Sequence, residues 1–341
     1  MKLATLPNDT ADGSLVVVSR DLTRAVTASA VSPSLRAAID DWTSASGPLR
    51  ALSDELNAGR ATGDFAFAPE IARAPLPRAW QWLDGSVYEI HLDLATRAYG
   101  LPNPSYEHPL MYQGMSHRFL SGRDDVPLPS EEDGIDFEGE FGIITDFVPA
   151  GTTAAEAEPH IILLTQLNDW SLRVPGRAEM SRGYGWIWAK PACSVAPIVL
   201  TPDELGDAWS NARIHLDLAI HVNGTQFGRA NGREMRFGFD ELVAHAAYSR
   251  DLCAGTIIGS GTVANADYKI VGSSCIAERR GIEILDHATS QTPFLTFGDR
   301  VQMAARDKNG EAPFGVMDQR VVPMRRAAKP ALVRRAREER S

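Results

Sequence analysis

The stretch DFEGEFG, Asp136 to Gly142, places Glu138 and Glu140 two positions apart in a segment that reads as a β-strand. Alternate strand residues share a face and lie roughly 6.5–7 Å apart. Two carboxylates held that close repel unless water screens them or a positive charge lies between them. The pair therefore marks either a solvated outer face or a cation site. Other acids in the chain could join the pair in the second case. WLDGSVYEIH carries Asp84 and His91, and the apolar run ILLTQLN ends abruptly at Asp169. A run of that kind reads as a buried strand that delivers a carboxylate at its rim. Asp84, Glu138, Glu140 and Asp169 together form an all-oxygen, strongly anionic set. Hard cations such as Mg2+, Ca2+ or Mn2+ suit it, whereas zinc prefers His or Cys.

Positioning such a set falls to a β-rich chain. LVVVS (15–19) and RAVTA (24–28) form an early hairpin. Ser32-Pro33 offers a helix N-cap followed by proline at the first helical position. Leu35, Ala38, Ile39 and Trp42 follow at helical spacing, and a second helix carries Leu49, Leu52 and Leu56 before Gly59 closes it. A Pro- and Ala-rich loop at residues 68–80 marks a boundary. Beyond it IHLDLAIHV (214–222) alternates up to Asn223-Gly224, a type I′ turn signal. VQMAA (301–305), a turn at Asn309-Gly310 and APFGVM predict another hairpin, and FDELVAHAAYS (239–249) a helix. The expected class is α+β and β-rich, a roll or sandwich. The expected division is a small N-terminal α+β domain over 1–76, a catalytic domain over 77–324 and an Arg-rich tail over 325–341. That tail is either an electrostatic arm or a frayed end.

Composition narrows the function. A net charge of −10 over 341 residues argues against a general nucleic-acid binder. Three cysteines with no C-x-x-C pair argue against a disulfide framework and a thiolate zinc site. No apolar run approaches the about 18 residues of a membrane span. The start, MKLATLPNDTADGS, lacks a secretory apolar core, so the cytoplasm is the expected address.

The order of motifs resembles the fumarylacetoacetate hydrolase superfamily. DGSVYEIH is similar to the segment in which that family sets an aspartate ligand seven residues before a catalytic histidine. MYQG (111–114) resembles its substrate-contacting Tyr-x-Gly, FEGEFG its E-x-E metal pair, and LNDWSLR its N-D-x-S-x-R segment. WAKPACSVAP carries a matching lysine, and GSGTV and GSSCIAE resemble its threonine turn and its histidine-pairing glutamate. The resemblance covers about residues 78–322, and the N-terminal module looks like the short form of bacterial members. It implies a mixed β-sandwich roll, a homodimer, and one divalent cation per subunit, Mg2+ foremost with Ca2+ or Mn2+ as alternatives.

The resemblance assigns the metal to Asp84, Glu138, Glu140 and Asp169. His91 would be the general base that activates water, and Glu278 would orient its ring. Lys190, flanked by Trp186 and Trp188, would hold a substrate carboxylate or an enolate oxygen. Tyr112, Arg173 and Thr262 would contact substrate. The implied reaction is hydrolysis of a carbon–carbon bond in a β-diketo or 2-oxo acid, fumarylacetoacetate or a related acylpyruvate, in aromatic-compound breakdown. The alternative is a lyase on the same scaffold, a 2-oxo-pent-4-enoate-type hydratase or an oxo-diacid decarboxylase or isomerase. One departure bears on substrate. Animal fumarylacetoacetases carry a glutamine seven residues after the last aspartate ligand, and Gly176 stands there in this chain. The Val174–Gly185 stretch, rich in glycine and charge, reads as a lid.

Overall fold

The computed structural model describes residues 1–100 and 107–325. Its frame is a large mixed sheet. From one edge the order is Phe65–Ala66, Arg24–Thr27, Ser14–Val18, Lys2–Leu6, Val199–Leu200, Ile161–Asn168, Gly139–Thr145, Ile257–Gly259, Trp82–Ser86 and Leu110–Gln113. The N-terminal strands are continuous with the rest, because Lys2 pairs with Leu200 and Leu3 with Val199. A second sheet of five strands runs Thr225–Asn231, Asp217–Val222, Arg300–Arg306, Met317–Pro323 and Val126–Leu128. The fold is mixed α+β and strand-rich, as expected.

The central strands are buried on both faces, which is why they read as unbroken apolar runs. Ile143, Leu164 and Ile258 pack into one core with Leu218, Ile220 and Met303 of the second sheet. Their chain neighbours Ile144, Leu163 and Ile257 point the other way, into a core closed by Leu35, Ile39, Leu49 and Leu56 of the two N-terminal helices. The period of two thus feeds two cores at once. At Gly139 the second sheet packs directly on the first: a Cβ there would lie 2.6 Å from Ile220 Cδ1 and 2.9 Å from Leu218 Cδ2. Glycine between the two glutamates is a packing requirement of the roll.

Several local expectations need correction. The first helix, Leu35–Asp40, is capped by Ser34, whose side chain accepts from Ala37 N, so the cap lies two residues beyond Ser32. The 214–222 run is not one strand, because Arg213–Ile214 and Asp217–Val222 pair with different partners. Asn223 (φ 51°) and Gly224 (φ 79°) do make its expected tight turn. APFGVM is mostly turn, and the strand that returns on Arg300–Arg306 begins at Met317. Trp42, expected on the first helix, instead opens the second, Trp42–Asn57, which carries Leu49, Leu52 and Leu56 as expected, and the helix expected over 239–249 forms as Phe239–Ala246. The Arg-rich tail beyond Arg325 lies outside the described residues.

Candidate active site

The four acids come from three strands of the large sheet. Asp84 lies in Trp82–Ser86, beside Gly259 in parallel register and opposite Tyr112. Glu140 lies in Gly139–Thr145, opposite Leu167. Glu138 stands just before that strand and bridges to Cys275. Asp169 follows the last residue of Ile161–Asn168, and its N–H donates to the Glu138 carbonyl at 3.0 Å. Asn168 completes the tie, its Oδ1 accepting from Glu138 N at 3.1 Å.

All four carboxylates are buried, and one oxygen from each lies within 4.8 Å of the others. Both oxygens of Glu140 and Oδ1 of Asp169 have no hydrogen-bond partner among the described residues. Orphaned buried carboxylate oxygens are costly, and a hard cation would satisfy them. The floor is shaped for that load: a Cβ on Gly259 would run into Asp84 Oδ1 and lie 2.9 Å from Glu140 Oε2. The residues present therefore fit a divalent ion held by Asp84, Glu138, Glu140 and Asp169.

Crowding and burial divide the acids electrostatically. Burial, then repulsion from Asp169, pushes Asp84 well above the usual carboxylate range. Burial, then Asp84, does the same to Glu140. Asp169 is also raised, by burial that Lys190 offsets only in part. Glu138 behaves oppositely: burial opposes its charge, but Lys190 and Arg173 outweigh it and hold Glu138 down at about 2.

The cations lie close to the acids. Lys190 Nζ donates to Glu138 Oε2 and Asp169 Oδ2, both at 2.5 Å, and to Ser171 Oγ at 2.8 Å. Burial opposes its charge, but Asp169 and Glu138 outweigh that and raise its pKa. The aromatic surround of Lys190 is Trp186 and Tyr112, each ring centroid 5.3 Å from Nζ. Trp188, expected there, points to solvent at 75% exposure. Tyr112 OH donates to Asp169 Oδ2 at 2.6 Å, so its hydroxyl engages a candidate ligand. Arg173 clamps acids of the protein itself: Nε lies 2.8 Å from Asp136 Oδ2, and Nη2 lies 2.7 Å from Asp136 and 2.8 Å from Glu138 Oε1. Thr262 is buried in the cleft wall, just after Gly261, whose N–H donates to Asp84 Oδ1 at 3.1 Å.

His91 sits in the first turns of the helix Glu89–Tyr99, and Glu278 in the first turn of Ile276–His287. His91 Nδ1 lies 2.6 Å from Glu278 Oε2, and that glutamate side chain is fully buried. With Glu278 ionised its oxygen can only accept, so a neutral His91 would donate from Nδ1 and keep Nε2 as the basic nitrogen. Both residues line the same cleft of about 640 Å³ as Asp84, Glu138 and Lys190. The structure thus brings together all ten residues singled out from the sequence, with Arg173 and Tyr112 turned toward protein acids. The 174–185 stretch overhangs the cleft as the helix Arg173–Met180 and a following turn.

Asp136 was missed. It accepts from Ile276 N at 2.7 Å and Ala277 N at 2.9 Å, capping the helix that carries Glu278, and it pairs with Arg173. The signal was present, since Asp136, Glu138 and Glu140 recur with the strand period. Gly259 was missed as the floor of the site. No pattern of spacing marks a glycine whose role is to leave room.

The family model described as fumarylacetoacetate (FAA) hydrolase C-terminal matches residues 82–322, and that for fumarylacetoacetase N-terminal domain 2 matches residues 1–78. The chain is 26% identical over 220 residues to a 2,4-didehydro-3-deoxy-L-rhamnonate hydrolase of Sphingomonas sp. (strain SKA58), covering 64% of this chain and 74% of that protein. It is 25% identical over 163 residues to a mitochondrial oxaloacetate tautomerase of Bos taurus, covering 47% and 49%. Its fold is similar to that of maleylpyruvate hydrolase from Sphingobium sp. SYK-6, crystallised with manganese (II) and pyruvate. There the TM-score is 0.63 at 18% identity, over 95% of this chain and 100% of that one.

Proposed function

This chain belongs to the fumarylacetoacetate hydrolase family, and on that premise we propose that it is a divalent-cation-dependent hydrolase. It cleaves the carbon–carbon bond between the acyl carbonyl and the methylene of an acylpyruvate or related β-diketo acid. The observation that carries this reading is the His91–Glu278 pair, 2.6 Å apart, opening on the same cleft as four buried carboxylates. Hydrolysis needs a base for water, and a hydrated ion alone does not explain a buried glutamate spent on one imidazole.

Bound at Asp84, Glu138, Glu140 and Asp169, the cation would act as a Lewis acid on substrate oxygens and stabilise the charge of the departing carbon. His91 Nε2 takes a proton from water as its oxygen attacks the acyl carbonyl. Glu278 keeps Nδ1–H in place and balances the imidazolium that results. The C–C bond then breaks, its electron pair passes into the pyruvate fragment as an enolate, and His91 returns the proton to that carbon. The products are a carboxylic acid and pyruvate. Lys190 Nζ places a fixed positive charge beside Glu138 and Asp169, where enolate charge gathers. The Arg173–Met180 helix lines the cleft beside the reacting groups through Gly176, Arg177, Glu179 and Met180.

The test is turnover of acetylpyruvate and fumarylacetoacetate by purified protein with Mg2+, followed as loss of β-diketo absorbance. Cleavage to pyruvate or acetoacetate and a carboxylic acid is the expected result. Absence of cleavage, with turnover of an oxo-diacid instead, would replace this reading by the lyase or isomerase.

A further inference from the structure

The outer half of the cleft has a chemistry that the catalytic residues do not explain. Leu92, Ala95 and Tyr99 line it from one face of the helix Glu89–Tyr99, at spacings of three and four. Met111, Met180 and Phe294 line the same cleft. At 1.5 Å per residue, this wall runs about 12 Å outward from His91. That is longer than a short diacid fragment requires.

Among the described residues, two of the three Lys or Arg side chains that line the cleft are already paired with acids of the protein. Lys190 and Arg173 are bound deep in the site by Glu138, Asp169 and Asp136. Arg177 stands exposed at the rim, its guanidinium 5.6 Å from the Tyr99 ring centroid. The other charged group of this wall, Glu179, accepts from the N–H groups of Ile187, Trp188 and Ala189 and repels an anion. Short of Arg177, a carboxylate laid along Leu92 and Ala95 would lose its water without a cationic partner among the described residues.

We propose that this outer half is a subsite for an apolar acyl group, so the preferred substrate is a monocarboxylate acylpyruvate with an alkyl or aryl tail. The inference rests on the hydrolase reading for the orientation of substrate, with its 2-oxo acid end at the carboxylate cluster. It also gives Gly176 a meaning. A glycine on the Arg173–Met180 helix adds no polar group to this part of the cleft.

The test reads binding without turnover. The Mg2+-loaded protein is titrated calorimetrically with pyruvate and with two 2-oxo acids of equal length, 2-oxooctanoate and 2-oxooctanedioate. The pair differs only in a terminal methyl or carboxylate. The monoacid is expected to bind at least tenfold tighter than either of the others, since each buried methylene is worth about threefold or more. Ala95→Arg, which sets a cation in the wall, is expected to bring the diacid level with the monoacid or above it. A wild-type protein that binds the diacid as tightly as the monoacid, or the monoacid no better than pyruvate, overturns the proposal. Diacid binding that is the tighter and is lost in Arg177→Ala overturns it too, by assigning a carboxylate reader to the rim. A protein that cleaves no acylpyruvate still reports the preference, so failure of the reaction and failure of the subsite are seen separately.

Discussion

His91 Nδ1 lies 2.6 Å from Glu278 Oε2, although 187 positions separate the two residues. If they act as one unit, their losses are not additive. His91→Ala is expected to lower kcat by about 10²–10⁴-fold, the range for a lost general base. Glu278→Gln is expected to cost less, and to add little in the His91→Ala background. Steady-state kinetics of the two single variants and the double variant check this. Fully additive losses would show that the two residues act apart.

Lys190 neutralises Glu138 and Asp169 in the same buried site. Removing one partner of a buried ion pair costs about 3–5 kcal/mol, because the other is left uncompensated. Lys190→Met is therefore expected to melt well below the wild type when both are free of metal, and to recover more of its Tm than the wild type on adding Mg2+. Thermal melts with and without chelator decide this. Equal recovery would mean that lysine and ion do not serve the same carboxylates.

The acids also give stability a pH dependence. Asp84, Glu140 and Asp169 are raised in the folded chain, mainly by burial. Groups raised on folding bind more protons in the native state, so their contribution is present at low pH and lost as pH rises through the folded values. Glu138, held down at about 2, works the other way, but its contribution is lost only as pH falls below the ordinary carboxylate range and so does not bear on pH 5 to 8. Metal-free protein is thus expected to lose stability from pH 5 to pH 8. Mg2+, competing with the same protons, is expected to raise Tm more at pH 8 than at pH 5. A Mg2+ effect that shrinks as pH rises would contradict this linkage.

Asp136 holds the start of the helix that carries Glu278. Losing a helix cap alone costs about 0.5–2 kcal/mol. Asp136→Ala also removes one of the two acids against Arg173. The expected result is a lower denaturant midpoint together with a kcat below wild type. Asp136→Asn, which keeps one acceptor oxygen, falls between. Unchanged kcat in Asp136→Ala would show that Glu278 needs no such support.

Much of this site was legible from residue type and order. Acids at strand ends announce themselves because apolar runs stop at them, as ILLTQLN stops at Asp169. Motif order then connected positions far apart in the chain. Partners were harder to read. Arg173 and Tyr112 looked like substrate contacts, but which acid each would meet depends on register between strands. Tyr112 reaches Asp169 across the Trp82–Ser86 strand, on which Asp84 sits opposite it. The N-terminal strands gave no hint that they would extend the central sheet through Lys2 and Leu200. Pairing across that distance leaves no local pattern. The return strand at Met317–Pro323 was placed too early because the turn signal at Asn309-Gly310 made APFGVM read as the strand that follows it.

Whether four carboxylates share one ion is tested most directly by titrating Mn2+ into chelator-stripped protein, wild type against Glu140→Gln, by isothermal calorimetry. The wild type is expected to take one ion per chain, and the variant to bind at least tenfold more weakly, since both Glu140 oxygens otherwise lack a partner. The variant, relieved of a buried charge, is also expected to melt no lower than the wild type when both are metal-free. Equal Mn2+ affinity in the two proteins, or no uptake by the wild type, would contradict the shared site.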